Sequence, residues 1–466
     1  MQILPLNWLD YLGVGLYLAM MGLVAALTRG TPTFFDFALA KKRLPASLIF
    51  ASLTATYIGP GFTMGAAEKG FLTGFYSFLL FLPFAVQTLL VGYFLAPRLA
   101  VMPGCLSIGD VFGLRYNRAG HLLAGVSSVG ICVMFTAFLA KVAGEMLVRF
   151  TGLPFEIGVL VITLLAVSYT LFGGIRASVL SDCVQFVVFT IVIPLVSLLA
   201  VLHSRFDAPA LMESAMSATR KGWETTPFLA SLGVAISFLL GETLIPPYAN
   251  LALASRSSIA SKRSFLMGGV FCVVWLAVVT GIGIAGSAIL SEKAEGVDVF
   301  LGVGAVVLPH GLWGALLVAI IGVLLSSQDS VLNAGAVSLT RDLFGPLMTL
   351  DERASMIIGR VGTALIGVIG ALAATRLPGI IEALLVIYSI WAPTVLIPLV
   401  FAITLKRIGR HAGWLSIVSG GSCAILWQTV LRDPGGVPAI IPGLAAGFLG
   451  FAAGHLVSGK QSGGVC

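Results

Sequence analysis

Charged residues are scarce in this 466-residue chain: Asp, Glu, Lys and Arg make up 10% of the positions, while 58% are hydrophobic. A soluble domain normally carries about a quarter charged residues. So little charge cannot cover this much apolar mass with a water-facing surface. The composition therefore excludes a soluble protein and indicates one dissolved in lipid, where long apolar stretches must be helical because every backbone polar group needs an internal partner.

Several chemical signatures are also missing. The six cysteines show no metal-ligand or disulfide spacing and lie mostly within or beside apolar runs, so we interpret them as packing residues. Neither HExxH nor GxSxG occurs, and no enzymatic activity is predicted. The net charge of +7 is explained below by loop topology, so no nucleic-acid partner is predicted. The cysteines are Cys105, Cys132, Cys183, Cys272, Cys423 and Cys466.

Apolar runs long enough to cross a bilayer, about 20 residues each, occur thirteen times along the chain. They predict an all-α integral membrane protein, one polytopic domain over 1–466, with the lipid bilayer as its surroundings. The runs begin near residues 8, 45, 73, 119, 155, 177, 227, 264, 310, 354, 378, 411 and 437.

Lys and Arg are unevenly distributed between the two sets of loops. Most follow odd-numbered spans, as in Lys41-Lys42-Arg43 and Lys406-Arg407. Positive residues accumulate on the cytoplasmic side of a membrane. We therefore expect a multi-pass protein of the cell inner membrane, with an extracytoplasmic N-terminus and a cytoplasmic C-terminus.

Two spans are interrupted by proline and glycine. The second contains Ile58-Gly59-Pro60-Gly61, and the seventh contains Gly241-Glu242-Thr243-Leu244-Ile245-Pro246-Pro247. The breaks lie five spans apart, and an odd repeat length inverts the second copy in the membrane. Paired broken helices are the best sequence indication of a transporter binding site. The alternative is a pair of ordinary proline kinks, which are common in membrane helices.

Span nine carries a polar segment, Ser326-Ser327-Gln328-Asp329-Ser330. Hydroxyl oxygens beside carbonyls released at a helix break suit a hard cation such as sodium. Serines alone often serve only to pack membrane helices together. An intramembrane aspartate is costly, and its presence favours a function.

These segments resemble the sodium/solute symporter family, which includes sodium-coupled proline, sialic acid, galactose and choline transporters. The resemblance rests on four stretches in the family's order and spacing, and thirteen spans is also the family pattern. The stretches are Ser52–Phe71, Tyr169–Arg176, Ser181–Gln185, and Leu325–Ser330 followed by Arg341-Asp342.

The resemblance implies a leucine-transporter-type inverted 5+5 repeat. We expect a first span and basic loop (1–44), a first repeat (45–203), an extracytoplasmic loop with a short surface helix (204–226), a second repeat (227–405) and two C-terminal spans (406–466). It also implies Na+ held by the Ala55, Ile58 and Val323 carbonyls and by the hydroxyls of Ser326 and Ser327.

A second cation site is implied by Asp182, an acid used in some relatives, with Asp329 and Ser330 (and Ser326) as partners. Asp329 stands where those relatives have serine. The alternative for Asp182 is a helix-capping carboxylate or a partner of Arg176.

The solute is expected between the broken spans two and seven. Lys141 and Glu145, four residues apart, allow three interpretations: a structural ion pair, a lysine that attracts a substrate carboxylate as in sialic acid relatives, or a lysine that reaches the headgroups. Tyr57 matches an aromatic residue of a choline-transporting relative, whose tryptophan is replaced here by Pro246-Pro247-Tyr248. The candidate solute contacts are Tyr57, Gly59, Phe62, Gln87, Lys141, Glu242 and Thr243.

Together these features predict a sodium-coupled symporter that imports a small organic solute, with a carboxylate-bearing amino acid or organic acid favoured through Lys141. The alternatives are a proton-coupled symporter using Asp182 or Asp329, and a membrane sensor with a transporter fold. No obligate protein partner is predicted.

Overall fold

The computed structural model describes residues 7–30, 33–204, 208–290, 294, 297–309, 311–377 and 379–458. Over these residues the chain is helical and contains no strand, as the apolar composition predicts. The first ten helices are α1 (Trp8–Thr28), α2 (Phe34–Leu39), α3 (Ala46–Tyr57), α4 (Ala66–Thr73), α5 (Phe75–Leu90), α6 (Ala96–Ala100), α7 (Ile108–Arg115), α8 (Arg118–Thr151), α9 (Phe155–Ser204) and α10 (Ala208–Thr225).

The remaining helices include the second interrupted span. Short π-helical segments at Gly61–Gly65, Val91–Leu95, Leu339–Phe344 and Ala392–Leu396 connect or extend several of them. The remaining α-helices are α11 (Phe228–Leu240), α12 (Pro246–Ala254), α13 (Ser258–Ile289), α14 (Val297–Val307), α15 (Trp313–Ser338), α16 (Glu352–Ala373), α17 (Ile380–Trp391), α18 (Ile397–Thr404), α19 (Ala412–Thr429) and α20 (Ile440–Val457).

The number of membrane crossings stays a prediction. Nine helices in the described part of the chain are long and apolar enough to span a bilayer, or up to ten if one bent pair counts as a single span. The count differs from thirteen for three reasons. Spans two and seven are broken into segments too short to qualify, and predicted spans five and six form one helix, α9, bent at Gly174. Helix α19, at predicted span twelve, is not among the nine.

The bend in α9 depends on glycine. Gly174 adopts φ 55°, and a Cβ there would collide with Phe37. Just beyond the bend, Arg176 forms a 2.9 Å ion pair with the buried carboxylate of Asp36. Arg176 is therefore engaged by α2, and the suggested pairing of Arg176 with Asp182 is not what the structure shows.

Helix α15 runs through the interior of the protein. Every residue from Leu316 to Ser338 is buried, and the helix packs against α3, α8, α9 and α12. This placement explains why a helix rich in Ser, Asn and Asp is tolerated in lipid, since its polar side chains face protein.

Two further features concern the predicted loop and the cysteines. The loop predicted over 204–226 contains α10, which packs against α4, α5 and α13. The five cysteines within the described ranges are free thiols, and Cys466 lies outside them.

Candidate functional site

The first helix break lies where α3 ends. Residues Ile58 and Gly59 are not helical, and the chain resumes helical geometry at Pro60. Proline disfavours helical geometry in the residue before it, which accounts for the position of the break. Gly59 lies directly against α15, because a Cβ added to it would be 2.9 Å from the Ser327 Oγ.

Two serine hydroxyls of α15 meet the carbonyls released at this break. Ser326 Oγ lies 3.1 Å from the carbonyl oxygens of both Ala55 and Val323. Ser327 Oγ lies 3.2 Å from the Thr56 carbonyl and 3.3 Å from that of Val323. Each hydroxyl has one proton to donate, so these bonds are alternatives, and the group is a cluster of uncharged oxygens.

Four of the five predicted sodium ligands are thus brought together. The exception is the Ile58 carbonyl, which accepts a hydrogen bond from Thr63 Oγ1 at 2.6 Å. The Thr56 carbonyl, not singled out from the sequence, lies at the cluster instead. The shift by two residues reflects where the helix ends, which a sequence pattern locates only to within a few positions.

A second polar cluster lies beside the first and contains two buried carboxylates. Asp182 accepts a hydrogen bond from Ser52, and Asp329 Oδ2 accepts from Tyr169 at 2.8 Å and from Ser181 at 2.9 Å. The Ser330 hydroxyl contacts both carboxylates. Each aspartate retains one buried oxygen, Oδ1, with no hydrogen-bond partner. The three residues predicted for a second cation therefore do adjoin one another.

Thr56 connects the two clusters. Its Oγ1 lies 3.2 Å from the Ser330 Oγ, 3.4 Å from the Ser326 carbonyl and 2.9 Å from the Ser52 carbonyl. The Thr56 hydroxyl on α3 thus contacts Ser326 of the first cluster and Ser330 of the second. An ion bound at one cluster would therefore affect the other cluster through this hydroxyl.

The second break, between α11 and α12, has a different chemistry. Glu242 accepts hydrogen bonds from the hydroxyls of Tyr248 and Tyr388, the latter at 2.5 Å. Thr243 Oγ1 accepts from Gln87 Nε2 at 2.8 Å, and its carbonyl accepts from Trp391 Nε1 at 3.1 Å. These bonds tie the non-helical segment to helices α5 and α17.

A small cavity of about 30 Å³ lies between the two breaks. The rings of Tyr57 and Tyr248, one from each broken span, line this cavity and stack on each other with centroids 3.9 Å apart. It is lined by Thr56, Tyr57, Gly59, Pro60, Gly61, Phe62, Phe84, Phe135, Phe138, Leu139, Phe238, Glu242, Ile245, Pro247, Tyr248, Ser327, Val331, Leu384 and Tyr388.

Four of the seven candidate solute contacts line this cavity: Tyr57, Gly59, Phe62 and Glu242. Gln87 and Thr243 lie behind it, bonded to each other, and Lys141 is not among the lining residues. Lys141 instead forms an ion pair with Glu145 on the same helix, the first of the three interpretations considered for it.

Sequence reasoning missed most of the aromatic lining. Tyr388 and the phenylalanines of α5, α8 and α11 come from apolar runs in which nothing separates a cavity-facing ring from a lipid-facing one. Only Tyr388 carried a usable signal, a polar hydroxyl in a transmembrane run. The phenylalanines are Phe84, Phe135, Phe138 and Phe238.

Comparisons with known proteins identify related chains. Residues 37–420 match the model of the sodium:solute symporter family. The chain is 25% identical to an osmoregulated proline transporter of Bacillus subtilis, over 96% of this chain and 94% of that protein. It is 24% identical to the sodium/pantothenate symporter of Escherichia coli, over 92% and 91%.

A solved structure shares the fold. It is that of a Na+-coupled sialic acid symporter in a substrate-bound, outward-open state, with a TM-score of 0.84 and 17% identity. The likeness covers 98% of this chain and 99% of the other.

Proposed function

The chain belongs to the sodium:solute symporter family, and we propose that it imports a small organic solute by alternating access, with sodium bound where α3 breaks against α15. The observation that carries this proposal is the approach of the Ser326 and Ser327 hydroxyls to the Ala55 and Thr56 carbonyls. Membership of the family makes sodium the coupling ion and a small solute the cargo.

The cluster fits sodium by its donor chemistry. Its oxygens are neutral, and hard cations are held by carbonyl, hydroxyl and carboxylate oxygens. When the ion binds, the hydroxyl protons of Ser326 and Ser327 turn away from the carbonyls. Both hydroxyl oxygens then become ligands, together with the carbonyl oxygens that had accepted their hydrogen bonds. The ion would hold α3 against α15 and favour the outward-facing, substrate-competent state. Its departure would release the two helices for the inward-facing state.

A second cation is proposed between Asp182, Asp329 and Ser330. The support is that each carboxylate has a buried oxygen without a partner, and a buried charge is stable only when it is paired. Protons on the same two carboxylates are the alternative, and a proton-coupled cycle would then follow. Uptake driven by a pH gradient in the absence of sodium would favour that alternative.

The solute site is proposed to be the cavity between the two breaks. The relatives named above carry proline, pantothenate and sialic acid, all of which bear a carboxylate. An amino acid or organic acid is therefore the first class to test. We also propose an inner-membrane location with thirteen spans, the inverted repeat over 45–203 and 227–405, and the N-terminus outside.

Uptake into proteoliposomes tests the function. Purified full-length protein is reconstituted, and labelled amino acids, organic acids and amines are offered under an inward sodium gradient or an equal potassium gradient. A membrane potential of ~100 mV supplies about 2.3 kcal/mol per charge, enough for clear accumulation. Sodium-dependent accumulation is expected. Solute binding without any flux would favour the membrane sensor, and equal uptake in potassium would contradict sodium coupling.

A further inference from the structure

The carboxylate of Glu242 stands in the cavity with no cation beside it. Its side chain is 5% exposed, and its two oxygens accept from two tyrosine hydroxyls. None of the cavity-lining residues is Lys, Arg or His, and Glu242 forms no ion pair within the described ranges. Because a buried charge is costly unless it is paired, the ionised form of this carboxylate would be stabilised by a positive group, and the cavity-lining residues supply none.

Three tyrosine rings line the cavity beside Glu242. Tyr57 and Tyr248 are stacked face to face, so their inner faces become available when the stack opens, and the Tyr388 hydroxyl donates to Glu242. An ammonium group within about 6 Å of an aromatic face is attracted to it, and more strongly where water is excluded. The negative carboxylate and the ring faces would thus both attract a positively charged group.

The same cavity offers little to an anion. The half-helix that begins at the second break starts with Pro246 and Pro247, which have no N–H to donate. Lys141, the basic residue expected to attract a carboxylate, is paired with Glu145 away from the lining. A solute carboxylate near Glu242 would place two negative charges together in a desolvated site.

Most of the remaining cavity lining is apolar. Phe62 and Phe84 lie 4.6 Å apart by ring centroid, and Phe84 extends the group to Phe238 at 6.5 Å. A cavity of about 30 Å³ has room for a few waters only. Binding a solute therefore requires the stacked rings of Tyr57 and Tyr248 to separate, which would let the cationic group take the place between them.

We propose that the transported solute carries a positively charged amine, held by the Glu242 carboxylate and the faces of Tyr57, Tyr248 and Tyr388, with its apolar part against the phenylalanines. This inference rests on the proposed function of the cavity as the solute site. It separates amino acids and amines, which the cavity accepts, from organic acids without an amine, which it rejects.

A matched set of probes tests the amine directly. Pyrrolidine, L-proline and tetrahydrofuran-2-carboxylate share one ring size, and phenethylamine, L-phenylalanine and 3-phenylpropionate form a larger set. Binding to the purified full-length protein is measured by calorimetry and thermal shift in sodium. The amine-bearing members should bind, and the acids without an amine should not. Equal binding of the acids, or no binding by any amine, overturns the proposal.

Substitution of Glu242 identifies the group responsible. Glu242→Gln should weaken binding of the amine probes by about 10- to 100-fold, the loss expected for one charged hydrogen-bonding partner. Tyr388→Phe keeps the ring, removes one donor to Glu242 and should have a smaller effect. Glu145→Gln, the same change outside the cavity, should leave amine affinity unchanged. Full amine affinity in Glu242→Gln would overturn the proposal.

Sodium binding separates this inference from the proposed coupling. Glu242→Gln should bind radioactive sodium as the parent does. Amine binding that depends on Glu242 but is identical in sodium and potassium would preserve the amine inference and refute the coupling. Uptake driven by a pH gradient and abolished in Glu242→Gln would assign Glu242 to a proton and overturn the amine inference.

Discussion

Both helix breaks are interruptions of a membrane helix beside proline and glycine, but the chemical groups around them differ. At the first, Gly59-Pro60 releases carbonyls that meet the hydroxyls of Ser326 and Ser327. At the second, the interrupted segment presents one carboxylate, Glu242, to tyrosines. Neutral oxygens surround the first position, whereas a negative charge and aromatic rings surround the second.

If the two breaks occupy corresponding positions of the proposed repeats, those positions divide the work of a symporter between them. Neutral oxygens can hold a small ion without trapping it, while a single charge among rings can select a larger solute. The Tyr57–Tyr248 stack joins the two positions, since one ring comes from each broken span. The predictions below test this division, beginning with the change expected to matter most.

Removing the hydroxyls of Ser326 and Ser327 should disrupt the proposed sodium site at the first break. In Ser326→Ala/Ser327→Ala the cluster loses two ligands, and we expect sodium affinity to fall by about 100-fold or more, at about tenfold per 1.4 kcal/mol. Binding of radioactive sodium to purified protein provides the measurement. Ser168→Ala, an exposed serine on α9 bonded only within its own helix, serves as the control. Unchanged sodium binding and coupling would place the ion elsewhere.

A methyl group at the first break should disturb the same site less severely. The Cβ of Gly59→Ala would lie 2.9 Å from the Ser327 Oγ, too close for the present geometry. We expect sodium affinity to drop by about tenfold, because forced overpacking costs about 1–3 kcal/mol. Gly130→Ala on α8, where a Cβ meets nothing within 4 Å, should bind sodium normally. Normal sodium affinity in Gly59→Ala would show that the first break is not packed tightly against α15.

Asp182→Asn tests whether a second ion binds in the cluster beside the first position. With two coupled ions, uptake should depend on sodium cooperatively, and the variant should lose that cooperativity with about a tenfold or smaller loss of affinity for the first ion. The exposed helix cap Asp351→Asn is the matched control, because asparagine caps a helix as well as aspartate does. Unaltered cooperativity in Asp182→Asn would show that Asp182 holds no second ion.

The smallest effect is expected at Lys141, outside both positions. Its pair with Glu145 joins residues four apart on one helix, and such pairs contribute roughly 0.5 kcal/mol or less. Lys141→Gln should change solute affinity by less than about threefold. Calorimetry with a zwitterionic probe provides the measurement. A large loss of affinity confined to carboxylate-bearing solutes would restore Lys141 as a substrate contact. Solute selection would then not depend on the second break alone.

Much of the ion position could be predicted because its signals are local. Proline and glycine interrupt a helix wherever they stand, and neighbouring serines on an apolar helix mark polar contact with another helix. The Ile58 carbonyl stays a predicted ligand, but its hydrogen-bond partner lies outside the serine cluster, because a helix end depends on which carbonyls find partners. Thr63 supplies that partner here, through a contact that spacing alone does not reveal.

Much less of the solute position could be predicted. Glu242 was recognisable because a charge is rare in a transmembrane run. The tyrosines and phenylalanines of the cavity lining come from six different helices and one π-helical segment, and most of their sequence neighbourhoods resemble lipid-facing segments. The expectation of a carboxylate relied on Lys141, yet the cavity lining contains no basic residue.

The amino-acid sequence by itself determined that this chain is helical and lives in a membrane, since its few charges and long apolar runs have no other stable arrangement. It also determined where two helices must break. Only the tertiary structure decided which side chains face those breaks, because the side a residue faces depends on how α5, α8, α15 and α17 pack around them. The neutral and the negatively charged position were created by that packing.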